Sequence, residues 1–150
     1  MKPLDQITPD DILYYLENTD DRHLGWLERA YGTTQGRIDK DFKQMVSDEL
    51  TRTRQGLRQY DTPILTLYRG IDNQHDDSRD AIHWTPVRSI ALDFGKYVYE
   101  TTVPNDAVDW IQTIVRRIGF PHEQEISLVR GIQRPMSLRE YIDLIELNSK

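Results

Sequence analysis

The chain predicts an α+β fold in which helices come first and strands follow, and three observations predict it. Apolar residues recur at helical spacing as far as Tyr60, and after Asp61-Thr62-Pro63 they break into short extended runs. With 150 residues, 37% hydrophobic and 29% charged, the chain is also large enough for one domain with a genuine core. Residues 1–150 are therefore read as a single domain with a helical subregion over 1–60 and a β-rich core over 61–150. The change near residue 61 is one of layer.

The first helix is announced by Thr8-Pro9-Asp10-Asp11: a hydroxyl to cap free N–H groups, proline at the first helical position, and acids near the positive end of the dipole. Ile12, Leu13 and Leu16 supply its apolar side. A second helix is expected from Asp20 or Asp21 through Leu24, Leu27 and Tyr31, stopped by Gly32. A longer one over residues 35–60 sets Ile38, Phe42, Met45, Val46, Leu50, Leu57 and Tyr60 at helical intervals. Residues 64–68 form a strand closed by Gly70, residues 73–80 a solvated loop, and residues 81–84 a second short strand. Thr85-Pro86 opens a helix that carries Ile90, Ala91 and Phe94 and ends at Gly95. Residues 97–103 are a β-branched and aromatic strand stopped by Pro104, residues 105–115 suit a short helix or a strand, and residues 123–129 form the clearest late strand. In the tail, Ser137-Leu138-Arg139-Glu140 fits a capping box, while the alternation Tyr141, Asp143, Ile145, Leu147 fits an edge strand.

Composition excludes several chemistries. The formal net charge of −6 argues against a broad duplex nucleic-acid surface, which needs clustered Lys and Arg. Without cysteine there is no disulfide, thiolate metal site or cysteine nucleophile. His23, His75, His83 and His122 include no pair at zinc-ligand spacing, so no metal is expected. No Gly-rich phosphate loop of the P-loop or Rossmann type is present. Neither a signal-peptide run nor a membrane-spanning stretch occurs, so a cytoplasmic protein with no membrane partner is expected. A protein delivered into a host or target cell by a machine that reads no cleavable signal would look the same.

Three segments carry residues suited to chemistry, each with a plainer alternative. Arg69 ends a strand beside Gly70, where its fork suits a phosphate or carboxylate and the glycine admits a ligand to the backbone; alternatively it is a surface ion-pair partner. In His83-Trp84-Thr85 the aromatic can be core and Thr85 only a helix cap. Glu123 and Glu125, in Pro121-His122-Glu123-Gln124-Glu125-Ile126-Ser127, fall with Ser127 and Val129 on one face if the segment is extended; a solvated charged face gives the same pattern.

In their order, Leu67-Tyr68-Arg69-Gly70, Trp84-Thr85 before a helix, residues 99–104 and Glu123-Gln124-Glu125 resemble the mono-ADP-ribosyltransferases of the Arg-Ser-Glu type, in particular small bacterial or phage toxin-like members. The first position of the triplet is His83 where the family usually has Ser. The resemblance implies amino-terminal helices packed on two mainly antiparallel sheets that form a cleft for NAD. It implies catalytic roles for Glu125, Glu123 and Arg69, and an NAD-binding cleft that includes Arg69, Gly70, His83, Trp84, Thr85 and Phe94. Glu125 would stabilise the oxocarbenium-like state at the ribose, His83 and Thr85 would orient it, Arg69 would hold the phosphates or ribose, and Glu123 would hold an arginine of an acceptor protein. NAD is then a co-substrate. The alternatives are an NAD glycohydrolase, a transferase acting on nucleic acid, and an inactive binding module of the same fold.

Overall fold

The computed structural model describes residues 2–18, 40–72 and 81–129, an α+β arrangement of four helices and two small antiparallel sheets among those residues. The expected second helix, the loop over 73–80 and both alternatives for the tail lie outside the described residues. The chain divides into two compact units, one of residues 1–59 and 110–122, the other of residues 60–109 and 123–150.

The first unit holds helix α1 (Pro9–Asn18), helix α2 (Lys40–Leu57) and, from the second half of the chain, helix α4 (Trp110–Gly119). The start of α1 follows its sequence signal. Thr8 Oγ1 accepts the Asp11 N–H at 3.3 Å, and Asp11 Oδ2 accepts the Thr8 N–H at 2.8 Å, a reciprocal cap built with Asp where Glu is usual. Ile12, Leu13 and Leu16 of α1 are buried, as are Phe42, Val46, Leu50 and Leu57 of α2. α2 passes into a 3-10 turn over Arg58–Tyr60, and its expected opening over residues 35–39 lies outside the described residues. The ambiguous stretch over 105–115 resolves into a 3-10 turn at Asn105–Ala107 and then α4. Trp110, Thr113 and Ile114, at helical spacing, bury against α1 and α2, while Arg116 and Arg117 stand in the last turn, near the negative end of the dipole.

The second unit holds the strands. β1 (Ile64–Ile71) pairs antiparallel with β3 (Tyr97–Pro104), with Arg69 opposite Tyr99 and Tyr68 opposite Glu100. β2 (His83–Trp84) pairs antiparallel with β4 (Ile126–Ser127), with His83 opposite Ser127. The two sheets are joined where Tyr68 and Thr85 exchange backbone hydrogen bonds of 2.7 and 2.9 Å. β1 therefore lies between β3 and the segment leaving β2. Helix α3 (Arg88–Phe94) carries the chain from β2 to β3 and packs on β1. This crossing explains Gly70: a Cβ there would sit 1.8 Å from the Ala91 carbonyl oxygen, so only glycine admits the helix backbone. The approach expected of a ligand on that side is taken by α3.

Two local expectations are corrected. Thr85 does not cap α3, which begins at Arg88 with Val87 at the N-cap and no side-chain cap; Thr85 is instead held in the sheet by Tyr68. Nor is 123–129 one strand. Pro121–Glu123 is a 3-10 turn, Gln124 has φ of 44°, and regular pairing begins only at Ile126. The period-two argument that set Glu123 beside Glu125 therefore does not apply, because the chain turns between them.

Candidate active site

The short β2–β4 pair creates the most unusual environment among the described residues. Glu125 immediately precedes β4 and is 4% exposed. A carboxylate this buried costs free energy unless donors replace its water. His83 Nδ1 lies 2.6 Å from Glu125 Oε2, and the Ser127 hydroxyl donates to the same oxygen. Both donors come from one cross-strand pair, since His83 faces Ser127 in the register. With the carboxylate ionised, Nδ1 carries the proton and donates it. The His83 side chain keeps 47% of its surface exposed while that of Glu125 keeps 5%, so the imidazole connects the buried acid to solvent.

The backbone entering β4 is also specified. Gln124 adopts the left-handed region, uncommon for a long side chain, and its carbonyl accepts the Thr85 hydroxyl at 3.1 Å. The same hydroxyl oxygen accepts the Val87 N–H at 3.3 Å. Thr85 thus ties the residue before Glu125 to the start of α3, positioning Glu125 through the backbone and not through its carboxylate.

The other expected site residues are dispersed. Trp84 is 3% exposed, donates its indole N–H to the Ala81 carbonyl at 2.9 Å and packs on Tyr99 with ring centroids 5.6 Å apart, which makes it core. Arg69 is half-buried, and strand alternation sets it on the face of its partner Tyr99 and hence of Trp84. Tyr68, Thr85, His83 and Ser127 belong to the other face. Gly70 is covered by α3, Phe94 is 53% exposed at the end of that helix, and Glu123 is half-buried in the turn before Gln124.

One contributor, Ser127, was not among the site residues expected from sequence. Ser127 had a visible signal, two residues beyond Glu125. Tyr68 and Glu100, which meet through the register of β1 with β3, carried no such signal. Tyr68 shows its backbone N–H and C=O to Thr85, so its pairing with Glu100 is of the non-hydrogen-bonded kind, which brings side chains close. Burial raises the Tyr68 phenol above its ordinary value, its hydrogen bond to Glu100 and that residue's charge add to this, and the Arg88 guanidinium acts in opposition.

Among the described residues no three His, Asp or Glu side chains are grouped to hold a metal ion, and no helix is long and apolar enough to cross a membrane. Comparison with protein-family models, with curated proteins and with solved structures finds no match to this chain.

Proposed function

We propose that the protein is a mono-ADP-ribosyltransferase that cleaves NAD and transfers ADP-ribose to an acceptor, an arginine side chain of a target protein. The observation that carries this reading is the Glu125 carboxylate, buried yet held by His83 Nδ1 and the Ser127 hydroxyl on one oxygen. Cleavage breaks the bond between nicotinamide and ribose C1′, the electron pair leaves with nicotinamide, and positive charge develops on the ribose. A fixed carboxylate in a water-poor setting stabilises that charge more than a solvated one does. Two donors on Oε2 hold the group oriented before the charge appears, which is the preorganisation such chemistry needs. The acceptor nitrogen then bonds to C1′ and gives up its proton.

In this reading Glu125 acts on the ribose, His83 and Ser127 position it, and Glu123 serves the acceptor. The assignments of Glu123 to the acceptor and of Arg69 to the NAD phosphates or ribose rest on the sequence resemblance alone. Incubation with NAD labelled in its ADP-ribose part, in a cell lysate, tests the proposal. Label on protein arginine, with free nicotinamide, is the expected result. Label on nucleic acid or only as free ADP-ribose would replace the acceptor by nucleic acid or water, and absence of nicotinamide release would overturn NAD cleavage.

A further inference from the structure

His83 and Glu125 form a hydrogen-bonded pair with unequal access to solvent. His83 Nδ1 stands 2.6 Å from Glu125 Oε2, and the imidazole side chain keeps 47% of its surface exposed against 5% for the carboxylate. A ligand arriving from solvent meets the ring first. The carboxylate behind it is fixed: Ser127, fully buried, donates its hydroxyl to the same Oε2, and the Gln124 carbonyl just before Glu125 accepts the Thr85 hydroxyl at 3.1 Å. An ionised carboxylate at Nδ1 requires the proton there, so in the neutral ring Nε2 is the nitrogen that can accept one. When Nε2 is protonated, the charge on the ring forms beside a buried anion, where the attraction is stronger than in water. A carboxylate that fixes the ring and steadies its protonated form makes the other nitrogen a proton acceptor suited to catalysis.

We infer that His83 Nε2 is the general base of this site, taking the proton of the acceptor as the acceptor nitrogen bonds to ribose C1′. This rests on the NAD reading above. The lone pair of the acceptor nitrogen forms the bond to C1′, the electron pair of the broken bond leaves with nicotinamide, and the acceptor N–H proton passes to Nε2. The imidazolium is held by Glu125 Oε2 through its Nδ1–H and returns the proton to water from its exposed surface. Glu125 then acts twice, by its charge on the ribose and through Oε2 on the ring. Glu123, the other acid of the segment, stands beyond the turn at Gln124, whereas His83 is bonded to Glu125 directly.

The test uses NAD with agmatine, a small guanidine that stands for the arginine side chain, on the parent chain, His83→Asn and His83→Gly. Asn sets an amide N–H close to the place of Nδ1, so it keeps a donor for Glu125 and offers no base. His83→Asn should fold by circular dichroism and bind NAD in calorimetry as the parent does, yet lose roughly 10²-fold or more in kcat for transfer to agmatine. His83→Gly leaves room for added imidazole, which should restore part of the lost rate, more so for a more basic substituted imidazole, and should not accelerate the parent chain. This rescue supplies the result if His83→Asn does not fold. Where the parent transfers to water instead of agmatine, the same comparison is read on nicotinamide release, since water too must give up a proton. A parent-like kcat in His83→Asn overturns the proposal, returns the ring to positioning Glu125 and leaves the NAD reading standing. So does a loss carried wholly by NAD affinity, which would make His83 a binding contact, and so does a rescue indifferent to the basicity of the imidazole, which would make the ring only a donor. A parent chain that releases no nicotinamide, with or without agmatine, overturns both this proposal and the NAD reading.

Discussion

In the helical unit, charged side chains pair at the surface, Lys2 with Asp11, Arg52 with Glu49 and Arg58 with Asp5, over a core of Leu, Ile, Phe and Trp. In the strand unit Thr85, Glu125 and Ser127 are buried, and their hydrogen bonds cross between strands and loops. Surface pairs contribute little and tolerate loss, whereas a buried acid becomes costly once a donor is removed. The two units therefore differ in what the loss of one polar partner costs them. Helical packing can be conserved in energy by many apolar choices. The Glu125 environment depends on named donors, so a substitution there is felt through a specific bond.

The comparison breaks most sharply at Glu125. Glu125→Gln keeps size and the capacity to bond His83 and Ser127, so the protein should stay folded by circular dichroism while nicotinamide release falls 10²- to 10³-fold, about 3–4 kcal/mol. A rate near that of the parent chain would return Glu125 to a structural role. Gly70→Ala sharpens the architectural side: the added methyl meets the Ala91 carbonyl, so α3 must move off β1, at a cost of about 2–3 kcal/mol in denaturant unfolding. An unchanged midpoint would show that the helix is not seated on the strand as described.

His83→Ala leaves Ser127 as the remaining named donor to Glu125 Oε2 and should destabilise by about 1–2 kcal/mol while lowering activity. His83→Gln offers an amide N–H and should recover part of both; recovery of stability without activity would assign the imidazole a role in proton transfer. The smallest effect belongs to the helical unit. Burial acts to raise the Asp11 carboxyl, but the Lys2 ammonium and the Thr8 N–H and hydroxyl outweigh it and hold the group below the ordinary 3.8. Because the folded-state value is the lower one, this stabilisation is complete above 3.8 and is lost as pH falls through the folded value. Asp11→Asn should flatten that acid limb of the unfolding midpoint and leave neutral-pH stability within about 1 kcal/mol of the parent chain. An unaltered acid limb would remove Asp11 from the account.

The elements legible along the chain are those whose signals are local. The Thr8-Pro9 start, the apolar side of α1, the end of α3 at Gly95 and the stop of β3 at Pro104 all follow from side chains acting within a turn or along one strand. The sequence also singled out Glu125 and His83, although from a pattern that assumed a strand over residues 123–129. The rest depends on contacts between segments distant in the chain. Asn105 to Val115 reads two ways because a short apolar segment suits either period, and the surfaces of α1 and α2 make its latter part a helix. Thr85 reads as a cap in sequence, but pairing with Tyr68 claims its backbone first. The turn at Gln124 separates Glu123 from Glu125, the register of β2 with β4 brings His83 and Ser127 to one carboxylate oxygen, and strand alternation parts Arg69 from both. Residues 42 positions apart carry no mutual signal along the chain, and cross-strand hydrogen bonding alone puts His83 against Glu125.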